Sequence, residues 1–347
     1  MGRDAPDTVG GPNTMTTTRV DLGTVRAALA LAARAPSVHN SQPWRWRVGD
    51  DRVDLYADLT RWLPLTDTDG RDLVLSCGAA LHHLQVALRA LEVPATVVRL
   101  PDPERPDLLA TVRLGVADTG SSPADERSEV DAASAVTGRR TDRRRYTDWP
   151  VPAEHLADLA ARAAERGALL RVVPEGRALR TLALAVRAAA AEHAAVPGYD
   201  TELALWSGLQ SSEDGVPVSA VPVPGDTEGG VPPRHFAAGE MAEGGAPADG
   251  ATLLVLGTSS DDRLSQLRAG EAMSAVLLRA TSFGLATCPL SEPLELAGTR
   301  ALVRDQVLDG TLSPQVVLRV GWAPPGEAVP ESPRRPLSDQ VEGLEES

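Results

Sequence analysis

The chain has 347 residues, 42% of them hydrophobic and 24% charged, so it can bury a sizeable core and is not disordered throughout. Its 34 basic residues are all arginine, and the absence of lysine excludes a Walker A phosphate loop, a pyridoxal phosphate Schiff base and a protein-kinase lysine. A net charge of −14 argues against a general nucleic-acid or anionic-membrane surface.

Residues 1–18 are polar and rich in Gly, Pro and Thr, and they read as a flexible tail. The alanine- and leucine-rich stretch from Leu22 to Arg34 predicts a helix that Ala35-Pro36 ends. A loop from Ser37 to Pro43 follows. Trp44–Val48 and Arg52–Tyr56 alternate at period two around Gly49-Asp50-Asp51, the pattern of a hairpin. Helix returns from Asp72 to Glu92, and Ala95–Leu100 and Leu109–Leu114 read as strands. Ala117–Asp125, dense in Asp, Ser, Pro and Gly, is a candidate linker.

Beyond it, helices are predicted over Glu126–Val136, Ala153–Arg166, Gly176–Ala195 and Tyr199–Gln210, with a strand over Leu169–Val173. From Ser211 to Gly250 the chain is dense in Pro, Gly, Ser and Glu and longer than ordinary connections, so it reads as disordered or as a lid. Ala251–Leu256 predicts a strand, Leu264–Phe283 a long helix and Gln315–Val320 a buried strand. The helix at Gly78-Ala79-Ala80-Leu81 aligns without gaps on Gly270-Glu271-Ala272-Met273. Either duplication or shared helical periodicity produces such a match.

Arg139-Arg140-Thr141-Asp142-Arg143-Arg144-Arg145 is the densest positive segment, and arginine's planar fork suits a phosphate. A solvated helix end paired with carboxylates is the structural alternative, and it also covers Arg334-Arg335. Ser37, His39, Asn40 and Gln42, held between Pro36 and Pro43, could read the edge of a planar heterocycle because amides donate and accept at once. Alone, His39 reads as structural. Thr287-Cys288-Pro289-Leu290-Ser291-Glu292 reads as a helix-exit turn that could present backbone amides to a ligand. Asp67-Thr68-Asp69-Gly70 lacks the remaining ligands of a calcium loop, and Glu192-His193 lacks a second histidine at metal spacing. His82-His83 sits on an apolar helix, and no GxGxxG or GxSxG occurs. Cys77 and Cys288 are far apart and outside any CxxC, so no disulfide framework or metal site is indicated and a reduced cytoplasm is the natural setting. No apolar run approaches the ~20 residues of a membrane helix.

The segments RAPSVHNSQPWRW, SCGAALHHLQVAL, RRTDRRRY, SFGLATCPLSEP and RVGWAPP followed by SPRRPLSD together resemble the nitroreductase superfamily, and within it the actinobacterial Acg family of FMN-binding proteins. The resemblance spans Val20 to Leu337. It implies an α+β, nitroreductase-like fold in which two fused halves form a pseudo-dimer: 19–125, then 126–337 with a lid insertion at 211–250, flanked by tails at 1–18 and 338–347. It also implies that Arg139, Arg140, Thr141 and Arg143, helped by Arg334 and Arg335, hold the FMN phosphate. Pro36, Ser37, Asn40 and Gln42 would lie along the isoalloxazine, and the Cys288-Pro289-Leu290 backbone would face flavin N5. The departure from the nitroreductase pattern is that neither phosphate motif has a lysine; arginine covers the charge.

The implied function is a cytoplasmic FMN-dependent oxidoreductase that passes hydride from NAD(P)H to flavin N5 and on to an electron-poor small molecule such as a nitroaromatic or quinone. The alternatives are an FMN-sequestering protein with little turnover, because the insertion that includes Asp214-Gly215-Val216-Pro217 and Arg234-His235-Phe236 shields the flavin, and a flavin-dependent oxidase of a specialised metabolite. Either a monomeric pseudo-dimer or a homodimer is implied, with neither nucleic acid nor membrane as partner.

Overall fold

Two long helices with little exposed face organise the chain. In the computed structural model, which describes residues 20–116, 132–207, 213–223, 231, 234, 236, 239–243 and 248–344, α2 (Arg71–Ala90) is buried from Arg71 to Leu88. A helix buried around its circumference lies inside a core, and the polar side chains of α2 find their partners there or border a cavity. Its partner is α7 (Arg263–Ser282). The two cross where glycines leave backbone facing backbone: a Cβ on Gly78 would lie 2.1 Å from the Leu267 carbonyl oxygen, and one on Gly270 would lie 2.0 Å from that of Leu75. Each glycine therefore packs on the residue three before the other, which is a local two-fold relation and the same pairing that the sequence alignment of these helices makes. His82 Nδ1 and Ser274 Oγ, 2.8 Å apart, bridge the pair further along.

A sheet lies on each side of this pair. The first has the order β3-β4-β2-β1-β9, built from β1 (Trp44–Val48), β2 (Arg52–Ala57), β3 (Ala95–Arg99), β4 (Leu108–Leu114) and β9 (Val341–Glu342). The second has the order β5-β6-β8-β7, from β5 (Leu169–Val172), β6 (Thr252–Thr258), β7 (Ala286–Leu290) and β8 (Ser313–Gly321), all antiparallel. α1 (Leu22–Ala32) packs on α2 and α4 (Ala153–Glu165) on α7. Residues 132–138 form a short helix, α3, and α5 (Arg177–Ala194) covers the second sheet beside α8 (Glu292–Glu295) and α9 (Ala297–Gln306). One continuous apolar core takes in Leu55 and Val112 from the first sheet, Leu81 and Val276 from the helices, and Leu254 and Leu318 from the second sheet.

Several elements differ from expectation. The helix over Tyr199–Gln210 is α6, Tyr199–Leu205: Ser207 Oγ returns to the Leu203 carbonyl at 2.7 Å, and Ser207 bridges to Val216. Thr287–Glu292, read as a turn, is mostly the edge strand β7. A proline is tolerated there because Pro289 occupies the non-hydrogen-bonded position opposite Leu318, where its missing N–H breaks no ladder bond. Residues of the expected 338–347 tail supply β9, which runs parallel to β1, and Gln340 accepts a hydrogen bond from buried Trp44 at 2.6 Å. The 1–18 tail, the Ala117–Asp125 linker and the start of the Glu126–Val136 helix lie outside the described residues.

The glycine crossing is testable. Gly270→Ala forces the helices apart and lowers stability by about 1–3 kcal/mol, as overpacking does. Gly298→Ala, at a helical position with nothing within 4 Å of the new methyl, gains up to about 1 kcal/mol from propensity instead. Thermal unfolding of both variants checks the contrast.

Candidate functional site

The loop after α1 adopts a costly backbone. His39, Asn40 and Gln42 have φ of 45°, 56° and 51°, a left-handed conformation that non-glycine residues keep only where their surroundings enforce it. Ser76 Oγ of α2 accepts from the Val38 N–H at 3.1 Å, and Ser37 Oγ accepts from the Gln42 N–H at 2.9 Å. Asn40 Nδ2 donates to the carbonyls of Gly215 and Pro333, both at 3.0 Å, while its Oδ1 accepts from Arg334. Gln42 Nε2 donates to the Glu213 carbonyl at 3.1 Å, and its Oε1 accepts from the Arg335 N–H at 2.9 Å. Asn40, Gln42 and Arg335 therefore fasten three distant segments together and line neither cavity described below. Their amides and guanidinium, expected along a ligand, are occupied by carbonyls of the chain.

That loop closes one side of a cavity of about 940 Å³, open mouth included. Pro36, Ser37, Val38 and His39 form this wall, and Asp72, Leu75 and Ser76 of α2 adjoin it. Opposite run Cys288, Pro289 and Leu290 of β7, continued by Ser291, Glu292 and Pro293. On β7's outer edge the Thr287 carbonyl accepts from the Asp142 N–H at 2.9 Å. Backbone alternation then puts Pro289, which has no N–H, on the same edge, and Ser291 supplies the next amide there.

The arginine-rich segment has no regular secondary structure and bends at Arg144, and burial alternates along it. Asp142, Arg144 and Tyr146 turn inward, where Arg144 and Asp142 form a buried ion pair at 2.7 Å. Arg145 reaches Glu243 at 3.3 Å. Arg143, expected at a phosphate beside Arg139, instead faces the large cavity, donating to the Ala220 carbonyl at 3.3 Å with its guanidinium 5.2 Å from the centre of the Phe236 ring. Arg139 and Arg140 line a second, smaller cavity, of about 260 Å³ with its open mouth included, with Arg34, Glu331 and Arg334, and Thr141 lines both cavities.

This smaller cavity is short of negative charge. Arg139 is only 6% exposed, and its Nε and Nη1 have no hydrogen-bond partner among the described residues. Burial, reinforced by Arg334, Arg140 and Arg34, lowers its pKa to about 9, and burial with Arg34 lowers that of Arg334 to about 10. The one carboxylate of the wall, half-exposed Glu331, pairs with Arg34 and, at 3.5 Å, with Arg140. Planar guanidinium groups arranged in this way suit an anion chemically.

Three further features belong to the large cavity's wall; His39, Arg234 and Phe236 were already singled out in the sequence, and Asp72 was not. His39 is 7% exposed with neither ring nitrogen partnered among the described residues, and burial, then Arg234 and Arg143, lower its pKa to about 3, so it is neutral. Arg234 and Phe236, from the 211–250 stretch, form part of the large cavity's wall. Arg234 is anchored by an ion pair with Glu295 of α8 and a 2.8 Å bond to Tyr199 Oη. Ser291 Oγ donates to the same carboxylate at 2.6 Å, and His193 Nε2 lies 2.9 Å from it. Asp72 is the third. An acid in a helix's first turn looks like dipole compensation, so sequence carries no signal for its role.

Burial opposes ionisation of Glu295, but the Arg234 charge and the hydrogen bonds to the carboxylate outweigh it and hold its pKa below the ordinary value. A depressed carboxylate stabilises the fold above its unfolded pKa and loses that contribution as pH falls through the folded value. Glu295→Gln, which strands Arg234, is expected to cost about 3–5 kcal/mol at neutral pH. Urea unfolding from pH 7 into acid should show the gap to the parent protein closing.

The sequence model of the Nitroreductase family matches residues 136–322. Rv3131 of Mycobacterium tuberculosis, which carries an NAD(P)H nitroreductase name, is 47% identical over 341 residues, covering 97% of this chain and 96% of that protein. The acg protein of the same organism, with the same kind of name, is 36% identical over 338 residues, covering 94% and 97%. Among solved structures, a nitroreductase-named protein from Anabaena variabilis aligns over 92% of this chain and 90% of its own, at 11% identity and a TM-score of 0.46. With identity of this extent over nearly full length, and a family match across the segment that holds Arg139, Thr141 and β7, the chain belongs to the nitroreductase family.

Proposed function

We propose that this chain is an FMN-dependent oxidoreductase that draws on NAD(P)H and reduces an electron-poor acceptor, a nitroaromatic or a quinone. The observation that carries this reading is the meeting of two unlike cavities at Thr141: a roomy one, largely apolar, and a small one with an uncompensated buried arginine. A molecule with a flat ring system and a phosphate on a short tether fits that pair, and the names of the relatives point to the same chemistry. Arg139, Arg140 and Arg334 would hold the phosphate, with Thr141 at the junction. Pro36, Ser37 and the Cys288-Pro289-Leu290 strand would border the ring, and Arg143 would face it. When bound, FMN supplies the hydride-accepting ring nitrogen; the chain supplies orientation and shielding from water.

The reading extends to the chain's organisation. We take 19–125 and 126–337 as two fused halves that complete the cavity without a second subunit, supported by the two-fold crossing of α2 and α7. The 211–250 stretch would act as a lid, supported by Arg234 and Phe236 in the cavity wall. The same anchoring favours a second reading, an FMN-sequestering protein with little turnover.

Purified protein should release noncovalent FMN on denaturation, at about one per chain because one arginine cluster of this kind is present among the described residues. Arg139→Ala should weaken FMN binding by about 10- to 100-fold, as loss of charge-assisted hydrogen bonds does, while Arg145→Ala leaves it unchanged. Unaltered retention in Arg139→Ala, or release of FAD, would sink the reading. Anaerobic mixing with NADPH or NADH separates the two versions: bleaching of the flavin within seconds favours the oxidoreductase. Faster bleaching by dithionite in Arg234→Ala than in the parent favours a lid.

A further inference from the structure

The large cavity is lined by a carboxyl group one of whose oxygens has no hydrogen-bond partner among the described residues. Asp72 is 5% exposed and lines the cavity, and its Oδ2 meets no hydrogen-bond donor among the described residues. The neighbouring arginines and backbone N–H groups are engaged elsewhere. Arg71 turns away to Asp261 at 3.1 Å, the Pro314 carbonyl at 3.0 Å and Gln315 Oε1 at 2.8 Å. The first free N–H groups of α2, those of Asp72 and Leu73, are taken by the Asp67 carboxylate at 3.1 and 2.8 Å. Arg234 is committed to Glu295, and Arg319 to Asp249 at 2.7 Å.

The surroundings of Asp72 add negative charge from two sides, Asp67 from the preceding turn and Glu295 and Glu292 from α8. The positive charges that act on it are Arg71 and Arg234; Arg143 and Arg319 line the same cavity, and His39 is neutral. Burial first, then the Asp67 and Glu295 charges, push the carboxyl well above its ordinary pKa against the lowering by Arg71 and Arg234. A protonated carboxyl is a hydrogen-bond donor. Leu75, Met273, Val186 and Val316 are its apolar companions in the wall, so a donor there is directional.

We propose that Asp72 is a ligand-positioning residue, a neutral carboxylic acid that donates a hydrogen bond to an oxygen of a planar carbonyl- or nitro-bearing molecule in the large cavity. The proposal rests on the reading of that cavity as the FMN and acceptor site. Two molecules bring such an oxygen: FMN through a ring carbonyl, and an acceptor through its nitro or quinone group. The titrations below tell them apart.

Asp72→Asn keeps a neutral donor at every pH, and Asp72→Ala removes it. The first measurement uses flavin-free protein. A buried acid with a raised folded pKa leaves stability unchanged below its unfolded pKa and lowers it as pH rises from there to the folded value. The folding equilibrium constant of Asp72→Asn relative to the parent is therefore expected to rise at least tenfold between about pH 4.5 and pH 8. Parallel profiles overturn the neutral carboxyl.

The second measurement titrates FMN, and then 4-nitrobenzamide against the oxidised FMN-loaded and flavin-free proteins, following flavin and tryptophan fluorescence. Asp72→Ala is expected to weaken whichever ligand carries the oxygen about five- to tenfold, with Asp72→Asn within about twofold of the parent. An effect on FMN assigns the bond to the flavin carbonyl, and one confined to 4-nitrobenzamide assigns it to the acceptor. Unchanged affinity for both in Asp72→Ala overturns the positioning role. A parent protein that takes up no FMN overturns the cofactor reading instead, and the pH profiles and the flavin-free titration still decide the role of Asp72.

Discussion

The close crossing of α2 and α7 is the constraint on which the rest depends. Two glycines, Gly78 and Gly270, let backbone touch backbone, and no side chain could stand between them without moving a helix. That approach holds the start of α2, with Asp72, Leu75 and Ser76, against Met273 of α7 and the strands β7 and β8. A cavity walled by segments about two hundred residues apart in sequence follows from it. The burial of α2 on all sides follows too, since a helix pressed between a helix and a sheet has no face left for water.

Charge divides along the same lines. Buried ion pairs that are complete assemble the chain: Arg144 with Asp142, Arg234 with Glu295, and Glu271 accepting Arg99 Nε and Nη2 at 2.6 and 2.7 Å across from the first sheet to α7. Buried polar groups that are incomplete occur in several parts of the described chain, Trp46 Nε1 and Thr66 Oγ1 among them, and three of them border the cavities: Arg139 the small one, and His39 and Asp72 the large one. An unpartnered buried charge such as Arg139 is expensive, which is why the small cavity stands out electrostatically. The lack of lysine sharpens the contrast, because every cation in the chain is a planar fork suited to carboxylate or phosphate.

Much of this was legible in the sequence. Period-two alternation marks β1 and β2 within a residue of their ends, and the apolar runs mark α2, α7 and β8. The motifs around Pro36, Arg139 and Cys288 belong to one region, as their joint resemblance to nitroreductases implies. Other parts were not legible. β7 hides behind a proline that is harmless only because of its register, and β9 exists only as a parallel partner of β1. Asn40 and Gln42 carry ligand-reading amides, yet carbonyls from the 213–215 and 333 segments reach them first.

The sequence by itself determined the local periods, the places where the chain must turn, the arginine-only chemistry and the family, because these depend on neighbours a few positions away. Tertiary structure alone decided which polar groups are left without a partner. Arg143 and Arg144 are adjacent and chemically identical, yet one lines the large cavity and the other pairs with Asp142. Asp67 and Asp72 both stand at the start of α2, yet one accepts two backbone N–H groups and the other faces the cavity. Satisfaction of a buried group depends on what arrives from distant segments once the core has closed, and no local pattern encodes that arrival.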